Sequence, residues 1–189
     1  RILLTIILLS SVFNSYGQKI RMKIEGQKDT TVNLVRYFGK GLYYADTAEM
    51  KNGIVEFDGA KQKPGILALF LPDQKMLEFV YNNEDVIIEA STPDLMGSSK
   101  IKKSEENKIF HDYVKYMSSE RVKANQYVAQ RKGHPENSKN YNELTDKIAQ
   151  TTKNVVNYQQ SIVDNHWDKL VSRIVKMSMD INIPEPPKD

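Results

Sequence analysis

The chain has 189 residues, of which 40% are hydrophobic, and a formal charge of +3. That is enough apolar material for one large or two small globular units with their own cores, and it excludes a chain that stays unfolded for want of burial. The excess charge is slight: residues 18–97 are near neutral and the remainder mildly basic, without the concentrated basic face that a nucleic-acid partner requires. Cysteine is absent, which excludes disulfides, thiolate nucleophiles, thiolate zinc sites and CxxC redox chemistry within this sequence.

At the amino end, Arg1 precedes the apolar run Ile2 to Leu9 and a small-residue exit at Ser15-Tyr16-Gly17. A basic start, a short apolar centre and a cleavable end are the layout of a secretory signal peptide over residues 1–17, and the run is short for a membrane span. The expectation is a periplasmic or secreted protein with no membrane insertion after cleavage.

From Lys19 to Ser91 the pattern has period two, interrupted by turn residues every eight to twelve positions. Lys19 to Glu25 places Ile20, Met22 and Ile24 on one face. Thr31 to Phe38 is expected to turn Val32, Leu34 and Phe38 inward and Asn33 and Tyr37 outward. Gly39-Lys40-Gly41 reverses the chain into Leu42 to Glu49, and Asn52-Gly53 has the chemistry of a turn with positive φ. A short strand through Val55 and Phe57 follows. Ile66 to Leu71 is an apolar run without alternation, suited to a central strand covered on both faces. Met76 to Tyr81 and Val86 to Ala90 complete seven strands, and Lys100 to Lys103 can add an eighth. The predicted unit, residues 18–97, is an antiparallel all-β meander closed as a sandwich or an open barrel.

The period changes after Gly97, and residues 98–183 read as helical. Ser104 is the expected N-cap of a helix reaching about Lys132, with Glu105 and Glu106 in its first turn, Phe110, Val114 and Met117 on its apolar face, and a polar second half. A second helix starts near Pro135 to Ser138 and carries Leu144, Ile148, Thr151, Val155, Tyr158 and Ile162 at steps of four and three, a seam for the preceding helix. Asn165 is the expected N-cap of a short third helix with Trp167, Leu170, Val171, Ile174 and Val175 on its apolar face. Residues 184–189, with Pro184, Pro186 and Pro187, read as the start of a proline-rich linker. The predicted class is α+β: strands first, then a helical hairpin plus a third helix.

Chemistry-bearing patterns are sparse. His111, His134 and His166 stand at no metal-ligand spacing, so surface or capping roles are expected of them, and no metal or cofactor is implied. The acidic pairs Glu105-Glu106, Glu84-Asp85 and Asp164 with Asp168 fall in turns or first helical turns, where dipole and turn preferences account for acids. The basic groups Lys100, Lys102, Lys103, Arg121, Lys123, Arg131 and Lys132 read as solvated faces. No catalytic residues are assigned. The one enrichment is aromatic: Tyr37, Phe38, Tyr43 and Tyr44 flank one hairpin, so Tyr37, Tyr43 and Tyr44 are the candidate ligand-contact surface, while cross-strand packing explains the same residues without a ligand.

The stretch Gly26-Gln27-Lys28-Asp29-Thr30-Thr31-Val32-Asn33-Leu34, the Pro64-Gly65 entry to an apolar strand, and Gly97 followed by Ser104-Glu105-Glu106-Asn107-Lys108-Ile109-Phe110 with Tyr113 resemble a Bacteroidetes domain of unknown function. That domain stands amino-terminal to a thioredoxin-like domain in exported TlpA-type thiol:disulfide interchange proteins. The resemblance implies a non-catalytic accessory region of a redox protein whose CxxC lies elsewhere. The partners expected are an attached or partner thioredoxin-like domain, and a second copy through the helices. The alternative is a stand-alone cell-envelope domain that binds a glycan or a peptide.

Overall fold

The computed structural model describes residues 18–39 and 41–179. The predicted signal peptide, Lys40 in the hairpin turn and the proline-rich segment lie outside the described residues.

Eight strands come first: β1 (Lys19–Glu25), β2 (Thr30–Phe38), β3 (Gly41–Met50), β4 (Ile54–Asp58), β5 (Gly65–Phe70), β6 (Met76–Tyr81), β7 (Val86–Ser91) and β8 (Lys100–Lys103). They form two four-stranded sheets, ordered β4-β1-β7-β8 and β3-β2-β5-β6. In β1 every second residue is buried: Ile20, Met22 and Ile24 face the core and the charged residues between them face water. They meet Val32, Leu34, Leu67, Leu69, Leu77 and Phe79 of the other sheet in one core between the two layers. Each such side chain, fully withdrawn from water, contributes about 1.5–3 kcal/mol.

The meander expectation needs correcting at one ladder. β1 pairs antiparallel with β4 but parallel with β7, from Ile20 opposite Val86 to Glu25 opposite Ser91. Alternation specifies which face of a strand is buried; it says nothing about which strand lies alongside or in which direction. The unbroken apolar run does sit where expected, since β5 lies between β2 and β6, with Leu67, Ala68 and Leu69 all buried.

The turn Asn52-Gly53 joins β3 to β4 with φ of 52° and 72°. A Cβ on Gly53 would stand 2.5 Å from the backbone carbonyl oxygen of Ile24, whose own N–H donates to Gly53 O at 2.7 Å. Gly53→Ala therefore combines a left-handed backbone with a clash against a core strand. It is expected to lower stability by about 2 kcal/mol in urea unfolding, and a loss below about 0.5 kcal/mol would show that the turn relaxes freely.

The helices are α1 (Leu95–Ser98), α2 (Glu105–Arg131), α3 (Lys139–Asn165) and α4 (Leu170–Ser178). The single turn α1 is marked in the sequence only by Asp94, whose carboxylate accepts from Gly97 N at 2.9 Å. Ser104 caps α2 and Ser138 caps α3, accepting from Asn107 N and Tyr141 N. α2 and α3 pack side by side along the expected seam: Leu144, Thr151 and Ile162 are buried, and Ile148, Val155 and Tyr158 half-buried. Midway along, the buried Glu120 accepts from Lys123 Nζ at 2.6 Å and from Asn154 Nδ2 at 3.3 Å, and the lysine beside it holds its carboxyl below the usual range.

Two expectations about the third helix are overturned. Asn165 is the last residue of α3 rather than a cap, and the residue before α4, Lys169, makes no side-chain capping bond. Trp167 is not on the apolar face but is 77% exposed in the turn. Val171 and Val175 are buried as expected, with Phe110, Ile162 and Val80 of β6. Val80 belongs to the sheet, so the helical cluster is seated directly on the sandwich. Phe38 also departs from expectation: although on the inward-facing side of β2, it lies past the end of the core and is 75% exposed.

Candidate functional site

β2 and β3 form a hairpin whose register shifts between Leu34 and Val35, Leu34 opposing Asp46 and Val35 opposing Tyr44. The extra residue, Ala45, packs towards the core. Beyond this bulge β2 stays paired with β5 as far as Arg36, opposite Leu67, and alternation distributes the aromatics. Tyr37, opposite Leu42, and Tyr44, opposite Val35, share the outer face; Phe38 and Tyr43, opposite Arg36, share the other, with rings edge to face at 6.2 Å. The candidate tyrosines are 39% (Tyr37), 52% (Tyr43) and 72% (Tyr44) exposed. They stand on one hairpin but not on one platform. Tyr37 is also committed within the sheet: its hydroxyl donates to the Glu78 carboxylate, and burial together with that carboxylate pushes its pKa up to about 12.

A second constellation, which sequence reasoning missed, joins the helices to the sheet. β6 is an edge strand, so the groups on its free side need partners. Asn107, in the first turn of α2, supplies them: its Oδ1 accepts from Val80 N and its Nδ2 donates to Val80 O, both at 2.7 Å. One buried amide thus stands in for a neighbouring strand. Ser104, at φ 116°, turns the chain from β8 into α2 and is held by bonds on both sides. Its hydroxyl donates to Glu84 at 2.5 Å and accepts from Asn107 N at 3.0 Å.

Glu106, the next residue back, works in the opposite direction. Its carboxylate accepts from Leu170 N at 2.9 Å and Val171 N at 2.7 Å, and from Asn82 Nδ2 at 2.8 Å. A carboxylate from α2 therefore caps α4, where the helix dipole favours negative charge. Expected as a first-turn acid, Glu106 is a buried linchpin between elements 64 residues apart. Glu106→Ala is expected to cost about 2 kcal/mol, read as faster amide exchange at Leu170 and Val171 with β1 amides unchanged; unaltered protection of those two amides would refute the capping role.

His111, one turn after Asn107, corrects the expectation of a surface histidine. It is 1% exposed, its Nδ1 shares a hydrogen bond with Ser99 Oγ at 2.7 Å, and its Nε2 makes no hydrogen bond. Burial first, and the charge of Lys115 second, lower its pKa to about 4, against a smaller opposing pull from the Glu78 backbone. The ring is neutral at pH 7.

The remaining candidates are engaged at the surface. Glu105 pairs with Lys169 at 2.8 Å and Asp85 with Lys103 at 2.7 Å, and in each the lysine holds the carboxyl below its ordinary value. Asp164 accepts from Gln160, and Asp168 lies 3.7 Å from Lys169. Lys102 pairs with Glu89 at 3.2 Å, and Arg131 lies over the Tyr141 ring. His134 and His166 are half-buried at helix ends. Among the described residues no three His, Cys, Asp or Glu side chains come together as metal ligands.

The fold defined by this geometry is a two-sheet sandwich with a docked helical unit. Residues 18–110 match a family model described as a domain of unknown function, DUF4369. The matched stretch holds the whole sandwich and the first residues of α2, ending at Phe110, so it includes both Glu106 and Asn107. A search of curated proteins finds no match.

Proposed function

We propose that this chain is a non-catalytic accessory region of an exported thioredoxin-family protein, and that it positions or dimerises an attached thioredoxin-like domain in the cell envelope. The observation that carries this reading is the joint at Glu106 and Asn107. One residue ties α4 to α2 and the next ties α2 to the sheet, so the last described helix is held in a fixed orientation to the sandwich. A module that positions what is attached to it needs such a rigid connection between its body and the chain that leaves it. The resemblance to a domain preceding thioredoxin-like domains, the signal-like amino end and the proline-rich composition of residues 184–189 support the same reading.

The gene sequence beyond Asp189 provides the test. A thioredoxin-like domain with CxxC is the expected continuation, and a stop codon or a following domain without that motif would count against the reading. The glycan or peptide alternative is less well supported, because Tyr43 faces away from Tyr37 and Tyr44, leaving no single stacking surface for all three.

A further inference from the structure

We infer that the end of the β2–β3 hairpin is a peripheral membrane contact, which seats the protein on a bilayer surface carrying anionic lipid. Three observations carry this. First, the large apolar side chains at the hairpin end are exposed on both of its faces: Tyr44 and Leu42 on one, Phe38 and Tyr43 on the other. A flat or grooved protein partner covers one face of a ribbon, whereas a fluid interface closes around both. Second, the types are those that settle at the boundary between headgroups and acyl chains, aromatic rings with polar tips beside apolar ones.

Third, the segments that make up the tip carry charge of one sign. Arg36 lies beside Phe38 on β2, and Lys63 lies in the segment entering β5, where Lys63 to Leu67 and Arg36 to Phe38 line a shared depression of about 190 Å³. Residues 36–45 and 59–66 contain no acid. The nearest acids are Asp58, shared with Lys61 at 3.8 Å, Glu78, whose carboxylate accepts from the Tyr37 hydroxyl, and Asp46, which follows Ala45 in β3. A second copy docked tip to tip would bring like charges together, which disfavours self-association through this surface. An anionic headgroup layer complements it. The contact is one of adsorption: no helix among the described residues is long and apolar enough to cross a membrane.

The test is co-sedimentation of the whole chain with vesicles of phosphatidylcholine alone and of phosphatidylcholine mixed with phosphatidylglycerol. Binding is expected to the mixed vesicles only, and to weaken as salt is raised. Phe38→Ser with Tyr44→Ser is expected to reduce that binding about tenfold or more, and Arg36→Glu with Lys63→Glu by at least as much. All four residues are exposed, so folding is expected to survive and is checked by circular dichroism. Three results would each overturn the inference: no sedimentation with either vesicle, equal binding to both that the tip variants leave unchanged, or a tip-dependent dimer in solution without vesicle binding.

Discussion

Replacing Asn107 with leucine is expected to remove about 4 kcal/mol of stability, the largest effect of any single substitution considered for this protein. The two side chains share the same heavy-atom branching and leucine is the larger, so no cavity is made, and transfer of the residue itself favours leucine. What is lost is the pairing of Val80, whose N–H and C=O on the free side of β6 are satisfied by the Asn107 amide alone. Both groups lie under Phe110, Ile162, Val171 and Val175, where water does not replace the lost partner. A buried donor and a buried acceptor left unmade cost about 1–3 kcal/mol each. Asn107→Asp separates the two bonds, since it keeps an acceptor for Val80 N but turns a carboxylate oxygen towards Val80 O and buries a charge. Urea unfolding of both variants measures the effect. A leucine variant within about 1 kcal/mol of the wild type would mean that the helices are not fastened to the sheet through this amide.

The second large effect is in pH. In the folded protein His111 has a pKa of about 4, against an ordinary value of 6.5. A depressed pKa means that the unfolded chain takes up the proton first as pH falls. The stabilising contribution of the neutral ring is therefore complete above pH 6.5 and is lost progressively as pH falls towards 4. Across that window it amounts to about 3 kcal/mol, of which about 2 kcal/mol goes between pH 6.5 and 5. The upper part of the window is the informative one, because Asp85, Glu105 and Glu120, held below their ordinary values by lysines, begin to matter only at lower pH. His111→Gln removes the titrating ring, so its stability is expected to stay nearly flat between pH 6.5 and 5 while the wild type declines. Parallel curves for the two proteins would place the acid sensitivity elsewhere.

Much of this architecture is legible in the sequence, and what is not legible has a common physical cause. Ile20, Met22 and Ile24 declare a half-buried strand by themselves, because the period of a strand is a local property of the backbone. The α3 seam from Leu144 to Ile162 is visible for the same reason. The parallel ladder between β1 and β7 is not, since nothing within either strand names its neighbour. Spacing alone puts Trp167 on an apolar face, but α3 continues to Asn165 and α4 begins only at Leu170, so Trp167 falls in the exposed turn between them.

The joint was hidden more thoroughly. Glu106 sits where any helix tolerates an acid, and its partners lie 64 and 65 residues away. Asn107 did leave a trace: it occupies the next step of the stripe formed by Phe110, Val114 and Met117, with His111 one turn on. Two polar residues on the buried face of a helix call for polar partners on whatever covers them. Of the hairpin aromatics, their clustering could be read from sequence, while their division between two faces follows only from the pairing of β2 with β3.

The joint is best tested by measuring a distance between the two units. The chain has no cysteine, so spin labels can be attached at two introduced positions without background, for example Arg21→Cys on β1 and Lys176→Cys on α4, both exposed. A single narrow distance distribution between them, broadened by Asn107→Leu or Glu106→Ala, is the expected result. A distribution already broad in the otherwise unmodified protein would contradict a fixed orientation of the helices on the sandwich, and with it the positioning role.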